Sequence, residues 1–126
     1  MRITQLVGFA LALAILGCAH DLRPCDRMTT YPVMEKRHLV LVRRVEPEDI
    51  RIEYLAAVDA ASLAGEPRKG VEEWIDQEVR QLESKMHLGD QLYFYRYEKC
   101  CGWYREGYVA VRGECIVGEI NTREDM

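Results

Sequence analysis

The hydrophobic positions of this chain change their spacing along its length. An unbroken apolar run covers residues 6–16. From residue 70 to residue 87, apolar side chains recur every three or four positions, which is the repeat of an amphipathic helix. After that helix the repeat shortens to two, as in β-strands, over residues 92–97, 108–112 and 115–120. The pattern predicts an α+β domain in which a helix packs on a small sheet.

The last two predicted strands are joined by Gly113 and Glu114, a two-residue connection with glycine first, as type II′ hairpin turns prefer. This turn places Arg112 opposite Cys115. We therefore expect a small antiparallel sheet that ends in a three-stranded meander. In this register, four aliphatic side chains share the sheet face that the helix covers: Val109, Val111, Ile116 and Ile120.

Two segments precede the clear helix. Residues 38–45 are aliphatic and rich in β-branched side chains, which predicts a strand. Residues 47–64 are ambiguous, because Ile50, Ile52 and Tyr54 alternate with charged residues as in a strand. Their acidic start and alanine-rich end are instead typical of a helix. We predict a helix over 47–64, so that one or two helices pack on one face of the sheet.

The apolar run at the start of the chain follows Arg2 and ends in Ile-Leu-Gly-Cys at residues 15–18. A positive end, an apolar stretch of roughly 7 to 15 residues and small residues at the cut form a secretory signal, whereas a spanning helix needs about 20 apolar residues. The segment resembles the signal of bacterial lipoproteins. This resemblance implies cleavage between Gly17 and Cys18 and attachment of lipid to Cys18. The alternative is ordinary signal peptidase cleavage after Ala19.

The lipoprotein resemblance also implies a location. Ala19, in place of aspartate, resembles members that are sorted to the outer membrane, where acyl chains such as palmitate give stable anchoring. About a hundred residues remain after the leader, which is the size of one small domain. We divide the chain into a signal peptide (1–17), a lipid-anchored tether (18–36), a single α+β domain (37–122) and a polar tail (123–126). We expect the domain to face the periplasm.

Four cysteines remain once Cys18 carries lipid: Cys25, Cys100, Cys101 and Cys115. An even number in an exported chain predicts disulfides, because the periplasm is oxidising. A bond between the neighbours Cys100 and Cys101 would be cramped. We therefore expect Cys25 to pair with one of these two and Cys115 with the other. The alternative of free or metal-bound thiols lacks the usual spacing of zinc and redox motifs.

The candidate partner-binding surface is aromatic. Tyr93, Tyr95 and Tyr97 alternate along one predicted strand and so line one face, where Tyr108 on a neighbouring strand would join them. A flat aromatic platform stacks on sugar rings, as in peptidoglycan, or anchors an envelope protein. The simpler interpretation, which we favour, is that these rings cover the second face of the sheet, because tyrosine is common in half-buried strands.

Candidate catalytic chemistry is scarce. The chain has no phosphate-binding loop, no dinucleotide fingerprint and none of the short serine or zinc hydrolase motifs. Its three histidines, His20, His38 and His87, are not spaced four residues apart, so we expect no metal site and no cofactor.

We predict a non-catalytic envelope lipoprotein, anchored in the membrane, that serves as a binding or structural module. The formal net charge is −4 with both signs interspersed, so nucleic acid is not an expected partner. A second hypothesis, favoured by the acidic face of the 70–87 helix, is an immunity-type inhibitor of a periplasmic toxin. A third is a small cell-wall hydrolase using Glu98 with Glu106 or Glu119. Residues 89–120 resemble small uncharacterised bacterial exported proteins, and this resemblance assigns no role to the chain.

Overall fold

The computed structural model describes residues 22–26, 38–61, 68–99 and 102–125. Within these ranges the chain forms five strands and two helices: β1 (Arg23–Pro24), β2 (Leu39–Arg44), α1 (Pro47–Ala61), α2 (Arg68–Lys85), β3 (Gln91–Lys99), β4 (Trp103–Arg112) and β5 (Cys115–Asp125). The α+β class is confirmed. The predicted signal peptide, the lipid-attachment residue Cys18 and the neighbours Cys100 and Cys101 lie outside the described residues.

The strands form one sheet in the order β1-β5-β4-β3-β2. The pairs β2–β3, β3–β4 and β4–β5 are antiparallel, so the last three strands form the expected meander. The sheet as a whole is mixed rather than antiparallel, because β1 runs parallel to β5. The hairpin register agrees with the prediction, since Arg112 pairs with Cys115. Gly113 has a φ of +60°, which a hairpin of this length requires of its first turn residue.

The pairing of the short strand β1 with β5 places the two cysteines of the disulfide side by side. Arg23 pairs with Cys115, and the Cys25 amide donates a hydrogen bond of 2.8 Å to the Ile116 carbonyl. Cys25 and Cys115 are disulfide-bonded, with their Cα atoms 4.9 Å apart. The prediction that each would bond to one of the neighbours Cys100 and Cys101 is therefore wrong. Two residues of strand leave no periodicity in a sequence, so the pairing that sets this bond could not be predicted.

β1 also changes the boundary of the domain. Leu22 is buried in the core, and β1 follows directly. Residues 22–26, which the sequence assigned to the tether, are therefore part of the folded domain. The buried Leu22, the first residue that the structure describes, stands only four residues after Cys18.

Helix α1 begins at Pro47, where a missing amide hydrogen costs nothing. Asp49 Oδ2 accepts a hydrogen bond of 3.0 Å from the Glu46 amide, which is one half of a capping box. Ile50 and Leu55 are buried, whereas Ile52 is exposed. The apolar residues thus follow the helical repeat, and the prediction of a helix starting at residue 47 is confirmed.

The two helices run antiparallel on one face of the sheet. Their buried side chains Ile50, Leu55, Ile75 and Leu82 belong to a single cluster with the sheet. The rest of that cluster consists of Val45, which directly follows β2, and the strand residues Leu92, Tyr108, Ala110 and Ile120. The face away from the helices carries a second buried cluster: Leu22, Tyr95, Tyr97, Val109, Val111 and Ile116.

A β-bulge in β5 explains why the predicted helix-side face was wrong. Val117 is an extra residue between the β5 positions that pair with Val111 and with Ala110. The bulge interrupts the two-residue alternation. Ile116 and Ile120 consequently lie on opposite faces, and only Ile120 packs on the helix side with Ala110. The face away from the helices carries the other three predicted residues, Val109, Val111 and Ile116.

The polar residues at the end of the chain form strand rather than the predicted tail over 123–126. β5 continues to Asp125, which pairs with Tyr104 of β4. A second extra residue, Thr122, lies in this part of β5, and its hydroxyl donates to the Glu106 carbonyl at 3.3 Å. The polar composition misled the prediction, because backbone pairing with a long neighbouring strand does not require apolar side chains.

Candidate functional site

The four tyrosines of the candidate partner surface lie on two faces of the sheet. Tyr93, Tyr95 and Tyr97 line the face away from the helices, as their alternation predicts. Tyr108 pairs with Phe94 on the helix side, with the two ring centroids 5.5 Å apart. Tyr95, Tyr97 and Tyr108 are all buried. The prediction that Tyr108 joins the other three is wrong, and the four side chains do not form one surface.

Tyr95 is part of a polar network that spans three strands. Its hydroxyl donates to Glu119 Oε2 at 2.8 Å, and Glu119 lies 3.8 Å from Arg105 Nη1. Arg105 Nη2 is in turn 3.5 Å from Glu124 Oε1. Burial raises the pKa of Glu119, against the opposing effects of the Tyr95 hydrogen bond and the Arg105 charge. Because its members bond to one another across β3, β4 and β5, the network serves to join these strands.

A second network attaches α1 to the sheet. Arg43 Nη1 and Nη2 donate to the two Glu53 oxygens, each at 2.6 Å, and the Tyr108 hydroxyl donates to Glu53 Oε2 at 2.7 Å. The Arg43 guanidinium also lies 5.2 Å from the centre of the Phe94 ring. The Arg43 hydrogen bonds hold the pKa of Glu53 below its ordinary value, while burial raises the pKa of Tyr108. Both partners of this carboxylate come from the sheet, so the network fixes α1 in place.

Asp90 and Arg112 form a clamp at one end of the sheet. Arg112 Nε and Nη2 donate to the Asp90 carboxylate at 2.9 and 2.8 Å, and the His87 amide donates to Asp90 Oδ2 at 2.7 Å. Arg112 Nη2 also lies 3.4 Å from the carbonyl of Lys85, the last residue of α2. The Asp90 side chain is 2% exposed. The Arg112 hydrogen bonds lower its pKa from 3.8 to about 2. The clamp joins the end of α2 to the β4–β5 hairpin.

Replacing Asp90 with asparagine should lower the free energy of unfolding by about 1 kcal/mol at neutral pH, because a charge-assisted bidentate bond is lost. The pKa of Asp90 is lowered on folding, from 3.8 to about 2. Its contribution is therefore fully present above pH 4 or so and is lost as the pH falls towards 2. Urea unfolding of Asp90→Asn and the natural chain across this pH range measures the difference. The control Glu73→Gln, at an exposed position, should show little difference at any pH. A constant difference for Asp90→Asn would contradict the clamp.

A groove of about 570 Å³ lies between α1 and α2. Its walls come from the start of α1 and the second half of α2: Pro47, Glu48, Arg51, Ile52, Asp76, Val79, Arg80 and Glu83. Arg51 Nε donates to Asp76 Oδ1 at 2.8 Å and so bridges the two helices. Ile52 is 65% exposed. The groove therefore offers apolar surface beside charged groups.

The charges of the groove remain available to a ligand. The side chains of Arg51 and Asp76 are each nearly half exposed, so their ion pair contributes little to stability. Each group can therefore exchange its present partner for one supplied from outside. An apolar centre with a polar rim is the usual composition of a protein-protein interface. The groove is thus suited to an apolar side chain of a partner with charges beside it.

His38 and His87 lie towards opposite ends of the sheet, because Leu39 pairs with Tyr97 near the end of β3 whereas His87 precedes the start of β3. The His38 ring packs 5.9 Å from the Tyr97 ring near the start of β2, whereas His87 is exposed in the turn after α2. His20 lies outside the described ranges. Over the part of the chain that the structure describes, no three or more His, Cys, Asp or Glu side chains are grouped so that they could hold a metal ion.

The three acids of the hydrolase hypothesis do not converge. Glu106 accepts a hydrogen bond from the Tyr104 hydroxyl and lies 3.6 Å from Arg96 Nε on the helix side of the sheet. Glu98 is exposed opposite Tyr104. Glu119, bonded to the buried Tyr95, lies on the other face. None of the three lines the groove between the helices.

The groove was missed at the sequence level, although one signal for it was present. Ile52 stands outside the buried stripe that contains Ile50 and Leu55. In the strand interpretation Ile52 belongs to an alternating apolar face, whereas in a helix it is an apolar residue directed away from the core. Such a groove is indicated when a helix carries an apolar residue outside its buried stripe and a second helix lies beside that residue.

The described residues include no helix that is both long enough and apolar enough to cross a membrane. The chain matches no protein-family model, and no curated protein or solved structure matches it either.

Proposed function

We propose that this protein is a lipid-anchored lipoprotein of the bacterial cell envelope whose small domain is a non-catalytic binding module. The observation that carries this proposal is the disulfide between Cys25 and Cys115. Disulfides persist in oxidising compartments such as the periplasm and are rare in the bacterial cytosol. The bond therefore supports export, which is also what the lipoprotein-like signal ending at Cys18 implies.

The roles of the carboxylates support binding over hydrolysis. Glu53, Asp90 and Glu119 each accept hydrogen bonds from arginine, tyrosine or backbone groups of another element of the fold. A carboxylate held in this way stabilises the domain, and its hydrogen bonds occupy the oxygens that a catalytic acid or base would use.

The groove supports an envelope protein as the partner. Its apolar side chain Ile52 and its polar rim have the composition of a protein interface. Sugar rings instead stack on exposed aromatic faces, and Tyr95 and Tyr97 are buried. A glycan therefore has less support. A periplasmic toxin, which the inhibitor hypothesis requires, would be one kind of protein partner.

Affinity capture of the tagged full-length protein from crosslinked cell envelopes tests both parts of this proposal. Cys18→Ser should abolish incorporation of a fatty-acid analogue and release the protein from the membrane fraction. The control Cys25→Ser should keep the fatty-acid label. Labelling and membrane retention that survive Cys18→Ser would contradict the lipid anchor.

In the same experiment, Ile52→Glu should reduce recovery of a specific protein partner by at least about tenfold, the effect expected of a buried interface position. Val40→Glu is the matched control, because Val40 is also an exposed aliphatic residue and lies on β2 away from the groove. Recovery that is equally reduced by both variants, or by neither, would show that the groove is not the binding site. Retention on isolated peptidoglycan, independent of Ile52, would favour the glycan.

A further inference from the structure

Several elements meet at one end of the sheet. β3 begins at Gln91, which pairs with Val111 near the end of β4, and β5 begins at Cys115, which pairs with Arg112. Because β1 is parallel to β5, its first residue, Arg23, lies beside Cys115 at this same end. The chain that precedes β1 therefore enters the domain here, and we call this end the entry end.

The distance from the lipid to the entry end is short. Leu22, which is buried in the domain, is four residues after Cys18. An extended chain spans at most about 3.6 Å per residue, so four residues reach about 15 Å. The nine residues of β3 extend about 30 Å from the entry end to the opposite end of the sheet. A lipid on Cys18 would therefore keep the entry end within about 15 Å of the membrane, whereas the opposite end of the sheet lies about 30 Å from the entry end.

The disulfide keeps the connection between Cys18 and the folded domain short. β1 has only two residues, and Cys25, which directly follows it, is covalently joined to Cys115. The start of the folded domain therefore stays attached to the beginning of β5. The short connection to Cys18 cannot be lengthened by release of β1.

Leu88 is the most exposed large hydrophobic residue of the described chain, at 106% of its reference area. It lies at the entry end, in the turn between α2 and β3. Gly89 follows with a φ of +95°, and Asp90 closes the turn by hydrogen bonds of 2.7 and 3.0 Å with the backbone of His87. The turn is thus fixed by specific bonds and presents Leu88 to the outside. A single exposed leucine is ordinary on a protein surface, but here a bilayer lies within the reach of the anchor.

The charges around Leu88 do not select a lipid headgroup. Arg23 and Lys85 are exposed at the entry end, and so is the acidic Glu114. Because both signs are present, attraction to an anionic surface is weak. A contact of this end with a membrane would therefore be made by apolar side chains and would not depend on the charge of the lipids.

We infer that the entry end rests on the phospholipid surface, with Leu88 inserted into the bilayer interface and the opposite end of the sheet directed into the periplasm. This inference rests on the proposed lipid anchor at Cys18. The occupant of the surface around Leu88 is the bilayer that carries the lipid. The anchor supplies the affinity, and Leu88 fixes the orientation of the domain.

The experiment places the photo-crosslinking residue p-benzoylphenylalanine at position 88 or at position 40 of the full-length protein, in cells whose phospholipids are labelled with radioactive phosphate. Val40 is a matched control, because it is an exposed aliphatic residue that pairs with Arg96, five residues along β3 from the entry end. After irradiation, purified protein with the probe at position 88 should carry at least ten times more phospholipid label than protein with the probe at position 40. Cys18→Ser should remove the label at position 88.

Fatty-acid labelling of the same cells distinguishes a wrong orientation of the domain from a missing lipid anchor. Protein that carries fatty acid but crosslinks equally from both positions, or more strongly from position 40, would overturn the orientation and leave the anchor intact. Protein that carries no fatty acid would refute the anchor, and with it this inference.

Discussion

Gly107→Ala is expected to lower the free energy of unfolding by about 3 kcal/mol or more, which is a large fraction of the stability of a small domain. A Cβ atom at position 107 would lie 2.0 Å from the Ile120 carbonyl oxygen and 3.1 Å from the Asn121 Cα. Both are backbone atoms of β5, which cannot rotate out of the way as a side chain does. Relief would require β5 to move away from β4 where Gly107 pairs with Asn121, next to the bulge at Thr122.

Gly70→Ala provides the matched control. Gly70 lies in α2, and a Cβ atom there would meet nothing within 4 Å. Because alanine favours the helix and restricts the unfolded chain, this variant should gain about 0.5–1 kcal/mol. Urea unfolding of both variants with the disulfide intact measures the two effects. If Gly107→Ala unfolded at the same urea concentration as the natural chain, the close approach of β4 and β5 would be contradicted.

Local periodicity was sufficient to predict much of the fold. α2 buries Ile75 and Leu82, seven residues apart, so its stripe is strong enough to be read without knowledge of its neighbours. The β4–β5 hairpin was equally predictable, because Gly113 and Glu114 specify both the turn and the register beside it. These are features in which the sequence signal and the structural cause lie within the same few residues.

The errors arise where the cause is distant in sequence. The extra residue Val117 bulges because β5 must match β4, and nothing in the alternation of β5 indicates this. β1 exists because the beginning of β5 offers an edge ninety residues away along the chain. The disulfide prediction failed for the same reason. A strand of two residues cannot be recognised until its partner is known.

In the candidate site, too, local features could be predicted and features that depend on distant segments could not. Alternation correctly placed Tyr93, Tyr95 and Tyr97 on one face, because side-chain direction within a strand is a local property. Whether Tyr108 shares that face depends on the register between β3 and β4, which pairs Tyr108 with Phe94 instead. The groove between the helices depends on how two elements pack. Its residues could be identified only after the antiparallel arrangement of α1 and α2 was known.

Two ion pairs and a covalent bond attach α1, α2 and β1 to the rest of this small domain. The pair Arg43–Glu53 attaches α1 to the sheet, and Arg112–Asp90 attaches the end of α2. The disulfide attaches β1, which with two strand residues contributes little backbone pairing of its own. Small exported domains commonly depend on disulfides, because their cores bury limited apolar area. Removal of the disulfide should therefore lower the free energy of unfolding more than removal of either ion pair.

Replacing Cys25 and Cys115 together by serine is expected to lower the free energy of unfolding by about 4 kcal/mol. The two cysteines are 90 residues apart, so the bond closes most of the chain into a loop. In the chain-entropy model, a loop of this size restricts the unfolded state by about 4 to 5 kcal/mol. Loss of the bond also frees β1, which exposes the buried Leu22 and removes cover from the face away from the helices.

Reducing agent distinguishes this disulfide from any other contribution of the thiols. Urea unfolding of the natural chain in reducing buffer should shift to the midpoint of the Cys25→Ser, Cys115→Ser variant, while the variant itself should be unchanged. A variant that also loses stability on reduction would reveal a second bond, which only Cys100 and Cys101 could supply if Cys18 carries lipid as proposed. A variant as stable as the natural chain would contradict the bond between β1 and β5. The entry end would then not be fixed, because β1 could detach and lengthen the proposed connection to the membrane.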